Sequence, residues 1–299
     1  MIANNFPKHL LASAKSGFLA GTKATNLAWQ RVASVYNMNA AAVDLVDLGA
    51  APMPTESVGQ NVVKEFIEKT MEIKPTSWDL NLALSYNAVA DDQTGSLLTK
   101  ARGAGANFQR HINNRVFKVL NAGDASTYGL CYDGEEFFDS DHADDGAHYS
   151  TDQDNEFDLA LSNDNFDTVA IAAAKVKDDQ GEYSGFMHNL LVIPPDLRKA
   201  ANDICFNPEE AGTGNRDTNP YDGLIKYIVS PEMDSTAWVL LAESEIVKPM
   251  IVAMRQQPFL QSAWFDPDEG NEGGYYHFKW YARYKVYYGD WRLAFLGNS

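Results

Sequence analysis

The stretch GSLLTKARGAGANFQRHINNRVFKVL, residues 95–120, carries the clearest structural signal in this sequence. Its apolar residues recur every three or four positions, as on one face of an α-helix: Leu97, Ala101, Ala104, Phe108, Ile112, Val116 and Leu120. The pattern predicts a helix over residues 95–121, about 40 Å long at about 1.5 Å per residue. Gly103 and Gly105 interrupt it. Each glycine costs about 1 kcal/mol relative to alanine, so we expect close packing there.

The predicted helix is basic, although the chain as a whole is acidic. The 299 residues carry a net charge of −17, which argues against a general binder of nucleic acid or of anionic membranes. The helix itself contains no acid, and its cations are Lys100, Arg102, Arg110, Arg115 and Lys118. One interpretation is that they pair with acids elsewhere in the fold or in an assembly. The other is direct contact with a polyanion.

Strand and loop signals precede this helix. Alternation with polar or small residues predicts a half-buried strand, and its inward residues are Trp78, Leu80, Leu82 and Leu84. Asp91 and Asp92 follow the strand and offer helix-capping carboxylates. LGAAPMPTESVGQN, residues 48–61, is rich in proline and glycine and predicts an exposed loop. Residues 7–36 have a loosely helical apolar spacing.

Strands and helices alternate after residue 150, which predicts an α/β unit. NLLVIPP, residues 189–195, is a fully apolar run typical of a buried strand. The aromatic segment GGYYHFKWYARYKVYYGDWRLAFL, residues 273–296, alternates like a strand, and Tyr288, Gly289 and Asp290 punctuate it like a turn. We therefore predict a terminal hairpin whose partner lies before residue 150, with the α/β unit inserted between them.

CYDGEEFFDSDHADDGAH, residues 131–148, is the most chemically suggestive stretch. Alignment to a calcium-binding loop fails at its third position, which is Ala143, and Asp152 is too short for the usual bidentate glutamate; the aligned residues are Asp141, Ala143, Asp145, Gly146 and Asp152. His142 and His148 are not spaced for one helical face, as a zinc motif would need. The favoured interpretation is an acidic loop anchored in the core by Phe137 and Phe138. The alternative is a metal-dependent hydrolase using the cluster Asp139–His148.

The remaining sequence features indicate neither a catalytic or redox site nor a targeting or membrane segment. Cys131 and Cys205 lie far apart in no metal or redox motif, so we expect reduced, buried thiols. No signal peptide is visible, and no apolar run approaches the ~20 residues of a membrane span. We expect no catalytic residue, no metal and no cofactor.

The order of these segments resembles the major head (capsid) subunits of Mu-like tailed phages. In that family a Tyr-Asp-Gly-x-x-Phe-Phe-x-x-x-His segment follows a long helix, and the matching residues here are Tyr132, Asp133, Gly134, Phe137, Phe138 and His142. A Leu-Val-Val-Pro-Pro-x-Leu pattern comes next, matched by Leu191, Val192, Ile193, Pro194, Pro195 and Leu197. The resemblance covers residues 75–299. It departs at Ala143, where the family usually has proline.

The resemblance implies the Hong Kong 97-type capsid fold, an α+β architecture in which an α/β axial domain is inserted into a peripheral domain. It divides the chain into an N-terminal arm (1–44), an extended loop (45–76), the first part of the peripheral domain with its spine helix (77–149, helix 95–121), the axial domain (150–255) and the second part of the peripheral domain with the C-terminal hairpin (256–299).

The implied function is structural. Copies of the chain would form hexamers and pentamers of an icosahedral shell around double-stranded DNA, assembled in the host cytoplasm and found in the virion. Scaffold, portal and decoration proteins are expected partners, and DNA contacts would not be sequence-specific. An encapsulin-like shell around protein cargo is the nearest alternative. A covalent crosslink of the kind known in some shells of this fold would involve Lys64, Lys69 or Lys74, but nothing in the sequence supports the geometry or the catalytic acid that it requires.

Overall fold

The computed structural model describes most of the chain, in the ranges 7–24, 27–47, 69–92, 95–142, 153–178, 181–209, 218–243, 247–269 and 273–299. Its α-helices are α1 (Lys8–Ala24), α2 (Trp29–Val32), α3 (Tyr86–Ala90), α4 (Ser96–Asn121), α5 (Asn163–Ala174) and α6 (Arg198–Phe206). Short 3-10 helices occur at Ser126–Tyr128, Pro195–Leu197 and Trp291–Leu293. Its strands are β1 (Ala33–Asn37), β2 (Val43–Asp47), β3 (Lys69–Ile73), β4 (Thr76–Ser85), β5 (Glu156–Asp158), β6 (Leu190–Ile193), β7 (Lys226–Val229), β8 (Trp238–Leu241), β9 (Met250–Asp266), β10 (Tyr275–Tyr288) and β11 (Ala294–Asn298).

The predicted long helix is confirmed as α4. Every residue of its predicted apolar stripe is buried. Gly95 precedes it in the left-handed conformation, at φ 74°. The carboxylate of Asp92 caps the helix, because it accepts the backbone N–H groups of Ser96 at 2.9 Å and Leu97 at 3.1 Å. Asp92, which the sequence offered as a helix cap, therefore satisfies two of the backbone N–H groups that the first turn of α4 leaves unpaired.

The first sheet lies against α4 and α1 and has the strand order β1-β9-β10-β4. Side chains of β10 alternate between buried and half-buried, as a strand with one covered face requires. Phe18 of α1 stacks on Trp280 of β10 at 5.6 Å between ring centroids and meets Phe108 of α4 edge-on at 5.9 Å. A shared aromatic core thus joins the two helices to the sheet.

α1 crosses α4 where two glycines meet. A Cβ atom added to Gly105 would lie 2.2 Å from the carbonyl oxygen of Phe18, and one added to Gly21 would lie 2.0 Å from that of Arg102. The close packing expected in this part of α4 is therefore confirmed at Gly105. It is wrong for Gly103, which is exposed: apart from its chain neighbours and the nearby backbone of α4 itself, no described atom lies within 4 Å of the place that a Cβ would take there.

The second sheet has the order β5-β11-β8-β6-β7. Strands β6 and β8 are buried at every position, which fits the apolar run predicted at residues 189–195. α5 begins at Asn163 and is capped by the Ser162 side chain. α5 contacts β11, and α6 contacts β6 and β7. The α/β character predicted after residue 150 is thus present, and β11 adds a strand from the end of the chain.

The predicted terminal hairpin is wrong. β10 forms antiparallel pairs with β9, residues 250–266, and with β4, residues 76–85. The expectation that a partner strand lies before residue 150 is confirmed by β4. After β10 the chain leaves the first sheet, and β11 pairs with β8 and β5 of the second. Gly289 is not in a hairpin turn: its N–H donates to the carbonyl of Pro249 at 2.8 Å, and a Cβ there would lie 2.8 Å from the carbonyl oxygen of Lys248.

Two predicted boundaries also differ from the elements. β9 runs without a break through the predicted limit between residues 255 and 256, and the helical prediction for 7–36 ends early because β1 begins at Ala33. Within the described ranges, no helix has the length and apolarity needed to cross a membrane.

Candidate functional site

The stretch that follows α4 is anchored by two aromatic side chains. Phe137 and Phe138 are completely buried and meet edge-on at 4.9 Å, while Phe137 also stacks on Tyr288 at 4.8 Å. The Phe138 ring fills the space beside Gly123, where a Cβ would lie 2.7 Å from the ring. The predicted anchoring role of both phenylalanines is confirmed.

His142 belongs to the packed interior. It is fully buried, its Nδ1 lies 2.8 Å from a carboxylate oxygen of Asp133, and its ring stacks on Trp291 at 4.0 Å with an angle of 3°. Its backbone pairs with Gln153 in an isolated antiparallel bridge. The side chain therefore joins the stretch after α4 to the segment before β11, and Nε2 has no hydrogen-bond partner among the described residues.

Asn155 links three segments at the same place. Its side chain accepts the N–H of Asp139 at 2.9 Å and donates to the carbonyls of Phe137 at 2.9 Å and Ala294 at 3.1 Å. It is fully buried, so these bonds satisfy backbone groups that water does not reach. We call the meeting point of residues 131–142, 153–158 and 288–296 the junction. Sequence reasoning missed Asn155, because one amide in a polar stretch carries no distinguishing pattern.

The junction also fixes the end of α4. The hydroxyl of Tyr288 hydrogen-bonds to the carbonyls of Val119 at 3.0 Å and Ala122 at 3.1 Å, which are among the groups that the last helical turn leaves unpaired. Asn121 and Asp234 are joined by two hydrogen bonds, of 3.0 and 2.8 Å. The junction and the Asn121–Asp234 pair therefore couple the end of α4 to both sheets.

Carboxylates crowd one side of the junction. Burial raises the pKa of Glu156 above its ordinary value, and repulsion from Asp124, Asp139 and Glu136 raises it further. The carboxylate that His142 contacts belongs to Asp133. In the described ranges no three histidine, cysteine or acidic side chains are grouped so as to hold a metal. His148, Asp145, Gly146 and Asp152 lie outside those ranges.

The ends of the predicted extended loop come together as an antiparallel ribbon of β2 and β3. Residues 48–68 between them lie outside the described ranges. The ribbon is fixed to the first sheet by Tyr287, whose hydroxyl accepts the N–H of Lys74 at 2.6 Å and donates to its carbonyl at 2.8 Å. Ile73 is fully buried beside it, in a small cluster with Met38, Ile251 and Ala253.

Lys74 is held as an ammonium ion. Its Nζ lies 2.7 Å from a carboxylate oxygen of Glu72, and this hydrogen bond raises the pKa of the lysine. A lysine that forms a covalent crosslink must first lose its proton, so this arrangement disfavours Lys74 as a nucleophile. Lys64 and the side chain of Lys69 lie outside what is described, so the structure does not test them as crosslink sites.

The outward face of α4 carries the predicted basic residues. Lys100, Arg102, Arg110 and Lys118 are exposed, and no ion pair joins any of them to an acid in the described part of the chain. Arg115 differs, since its guanidinium lies over the rings of Trp78 at 5.6 Å and Tyr128 at 4.9 Å. Among the described residues, these cations therefore do not pair with acids of the same chain, as one interpretation of the sequence expected.

Comparison with known proteins gives one family. The profile described as "Mu-like prophage major head subunit gpT" matches residues 8–160 and 157–233. No curated protein matches the chain.

Several solved structures share the architecture. The bacteriophage JBD30 capsid is 23% identical over 70% of this chain and 92% of that chain, with a TM-score of 0.55. The JBD30 procapsid is 21% identical over 100% of this chain and 76% of that chain, with a TM-score of 0.52. The capsid of an empty GTA particle is 12% identical over 92% and 90% of the two chains, with a TM-score of 0.59. These likenesses confirm the predicted Hong Kong 97-type α+β fold.

Proposed function

The chain belongs to the family of Mu-like prophage major head subunits, and we propose that it acts as the major capsid protein of a tailed phage, building the icosahedral head that encloses double-stranded DNA. The observation that carries the proposal is the family match, which spans residues 8–233. It is supported by three features of the fold: the long helix α4 with its buried apolar stripe, the first sheet that α4 covers, and the second sheet, which is linked to α4 through the junction. The role needs no catalysis by the chain.

The contacts within such a shell follow from the proposed domains. The extended loop, residues 45–76, would lie on a neighbouring subunit, and Tyr287 would hold its base at a fixed angle. Axial domains would meet at the centres of hexamers and pentamers, and peripheral domains at local threefold axes. Each contact is modest on its own. Many contacts per subunit make dissociation cooperative, because every further contact is formed within an already assembled particle.

Other partners belong to the same proposal. We expect assembly in the host cytoplasm, a location in the virion, and interaction with scaffold, portal and decoration proteins. The acidic overall charge suits a container that must release its DNA.

Electron microscopy of the purified full chain tests the proposal directly. We expect closed particles, and light scattering in the megadalton range. A chain that stays monomeric under all assembly conditions would overturn it. Nucleic acid extracted from particles made during infection separates a phage head from an encapsulin-like shell, since the latter would contain protein cargo instead.

A further inference from the structure

The outward face of α4 has a feature that the fold of the single chain does not use. Successive exposed residues three or four positions apart form one line along the helix: Lys100, Gly103, Asn107, Arg110, Asn114 and Lys118. We call this line the basic stripe. Its first and last cations are separated by about 27 Å, at about 1.5 Å per residue. It contains cations, amides and a glycine.

Gly103 is the residue that the chain's own packing leaves unexplained. A glycine in the middle of a helix costs about 1 kcal/mol relative to alanine, and at Gly105 the crossing of α1 requires it. No described atom outside the nearby backbone of α4 comes within 4 Å of a Cβ built at Gly103, so alanine would fit there. The absent side chain leaves room beside Lys100 and Asn107 for something outside the chain to approach the helix backbone.

The composition of the basic stripe selects the kind of partner. Protein interfaces have an apolar centre, often aromatic, with a polar rim. The exposed residues of α4 from Thr99 onward include no large apolar side chain. Lysine, arginine and asparagine side chains, together with close backbone approach, are instead the usual means of contacting phosphate groups. In a chain of net charge −17, a helix with no acid concentrates positive potential in one place.

We propose that the basic stripe of α4 binds the phosphate backbone of the enclosed double-stranded DNA, with Gly103 as the point of closest approach. This inference rests on the proposed function and adds the surface that meets the genome. The contact is independent of base sequence, because it involves phosphates alone. The contact is also confined to the basic stripe. The rest of the chain is acidic and repels the DNA, so the DNA does not adhere to the whole surface.

The test uses the unassembled full chain, below the concentration at which particles form, and a fluorescent duplex of random sequence. Fluorescence anisotropy gives the affinity across a salt series. The variant K100Q/R110Q/K118Q removes the cations of the stripe. The control K175Q/R198Q/K199Q removes two lysines and one arginine from exposed positions around α5 and α6 and has the same net charge.

We expect the stripe variant to lose at least about a hundredfold in affinity at low salt. The slope of log K against the logarithm of the salt concentration should become less negative by about 2 to 3. The control should lose far less. G103Q adds bulk without charge and should weaken binding, whereas G103A should bind more like the parent chain. Equal losses in the two triple variants, or no binding by the parent chain at low salt, would overturn the proposal.

Electron microscopy of the same variants separates this inference from the proposed function. Both triple variants should still form particles. If only the stripe variant fails to assemble while its DNA affinity is unchanged, the stripe is a protein interface and the inference is wrong. If the parent chain itself forms no particles, the capsid proposal fails, whatever the DNA measurements give.

Discussion

The two ends of α4 are held by opposite means. Near its N-terminal half, α1 crosses at Gly21 and Gly105, where backbone meets backbone because side-chain atoms are missing. At its C-terminal end, the junction holds the chain through particular polar atoms of Asn155 and Tyr288. The first contact is therefore sensitive to added atoms and the second to removed ones. Substitutions of each kind at each end test this difference.

Removal of the Asn155 side chain should have the largest effect. N155A leaves the N–H of Asp139 and the carbonyls of Phe137 and Ala294 without their partner in a buried place. Unsatisfied buried groups cost about 1–3 kcal/mol each, and partial relaxation makes about 4 kcal/mol the expected total. Urea unfolding of the unassembled chain measures it. N114A makes the same change on the exposed face of α4 and should stay within about 0.5 kcal/mol of the parent chain.

A loss below about 1 kcal/mol for N155A would mean that other groups or water replace its hydrogen bonds, and that the junction does not depend on this residue.

Addition of one methyl group at the N-terminal crossing comes second. In G105A the new Cβ would lie 2.2 Å from the carbonyl oxygen of Phe18, so α1 and α4 must move apart. We expect a loss of about 2–3 kcal/mol in the free energy of unfolding, measured by urea unfolding as before. G103A, two residues away, should gain up to about 1 kcal/mol because alanine is the better helix former and nothing described obstructs it. The opposite signs are the decisive result, and a stabilised G105A would contradict the close crossing of the two helices.

The smallest effect concerns charge at the junction. The pKa of Glu156 is raised in the folded chain by burial and then by Asp124, Asp139 and Glu136. A raised pKa means that the folded state favours the protonated form, so the stabilising contribution is present at low pH and is lost as pH rises through the folded pKa. E156Q should therefore raise the midpoint of thermal unfolding near neutral pH and lose this advantage in acid.

Screening by solvent keeps the gain of E156Q below about 1 kcal/mol. E135Q, at an exposed position of the junction, is the control and should show little change. A gain for E156Q that is the same at every pH would show that packing is responsible, and not the cost of ionising Glu156 in its partly buried, acidic surroundings.

The contrast between local and distant contacts explains which parts of the fold could be predicted from the sequence. α4 and β4 follow from local periodicity, and β6 from an apolar run, so each is recognisable within a short window. The mistaken hairpin arises where Tyr288, Gly289 and Asp290 have the composition of a turn. The close approach of Gly289 to Lys248 and Pro249 instead leads the chain into another sheet.

The site was predictable only in part, for a related reason. Phe137 and Phe138 indicate a buried anchor by their size and neighbourhood. The roles of Asn155 and Asp133 depend on segments that the fold brings together from distant positions, and single polar residues carry no local pattern. Gly103 and Gly105 are alike in sequence, and the position of α1 alone distinguishes them.

The position of β11 has a consequence for the time course of synthesis. It lies between β5 and β8, so β5 gains its partner in the second sheet from residues 294–298. Translation delivers the chain from its N-terminus, and β6, β7 and β8 emerge with their mutual partners while β5 waits. We infer that the second sheet closes only after residue 298 has left the ribosome. A nascent chain would until then lack a finished second sheet.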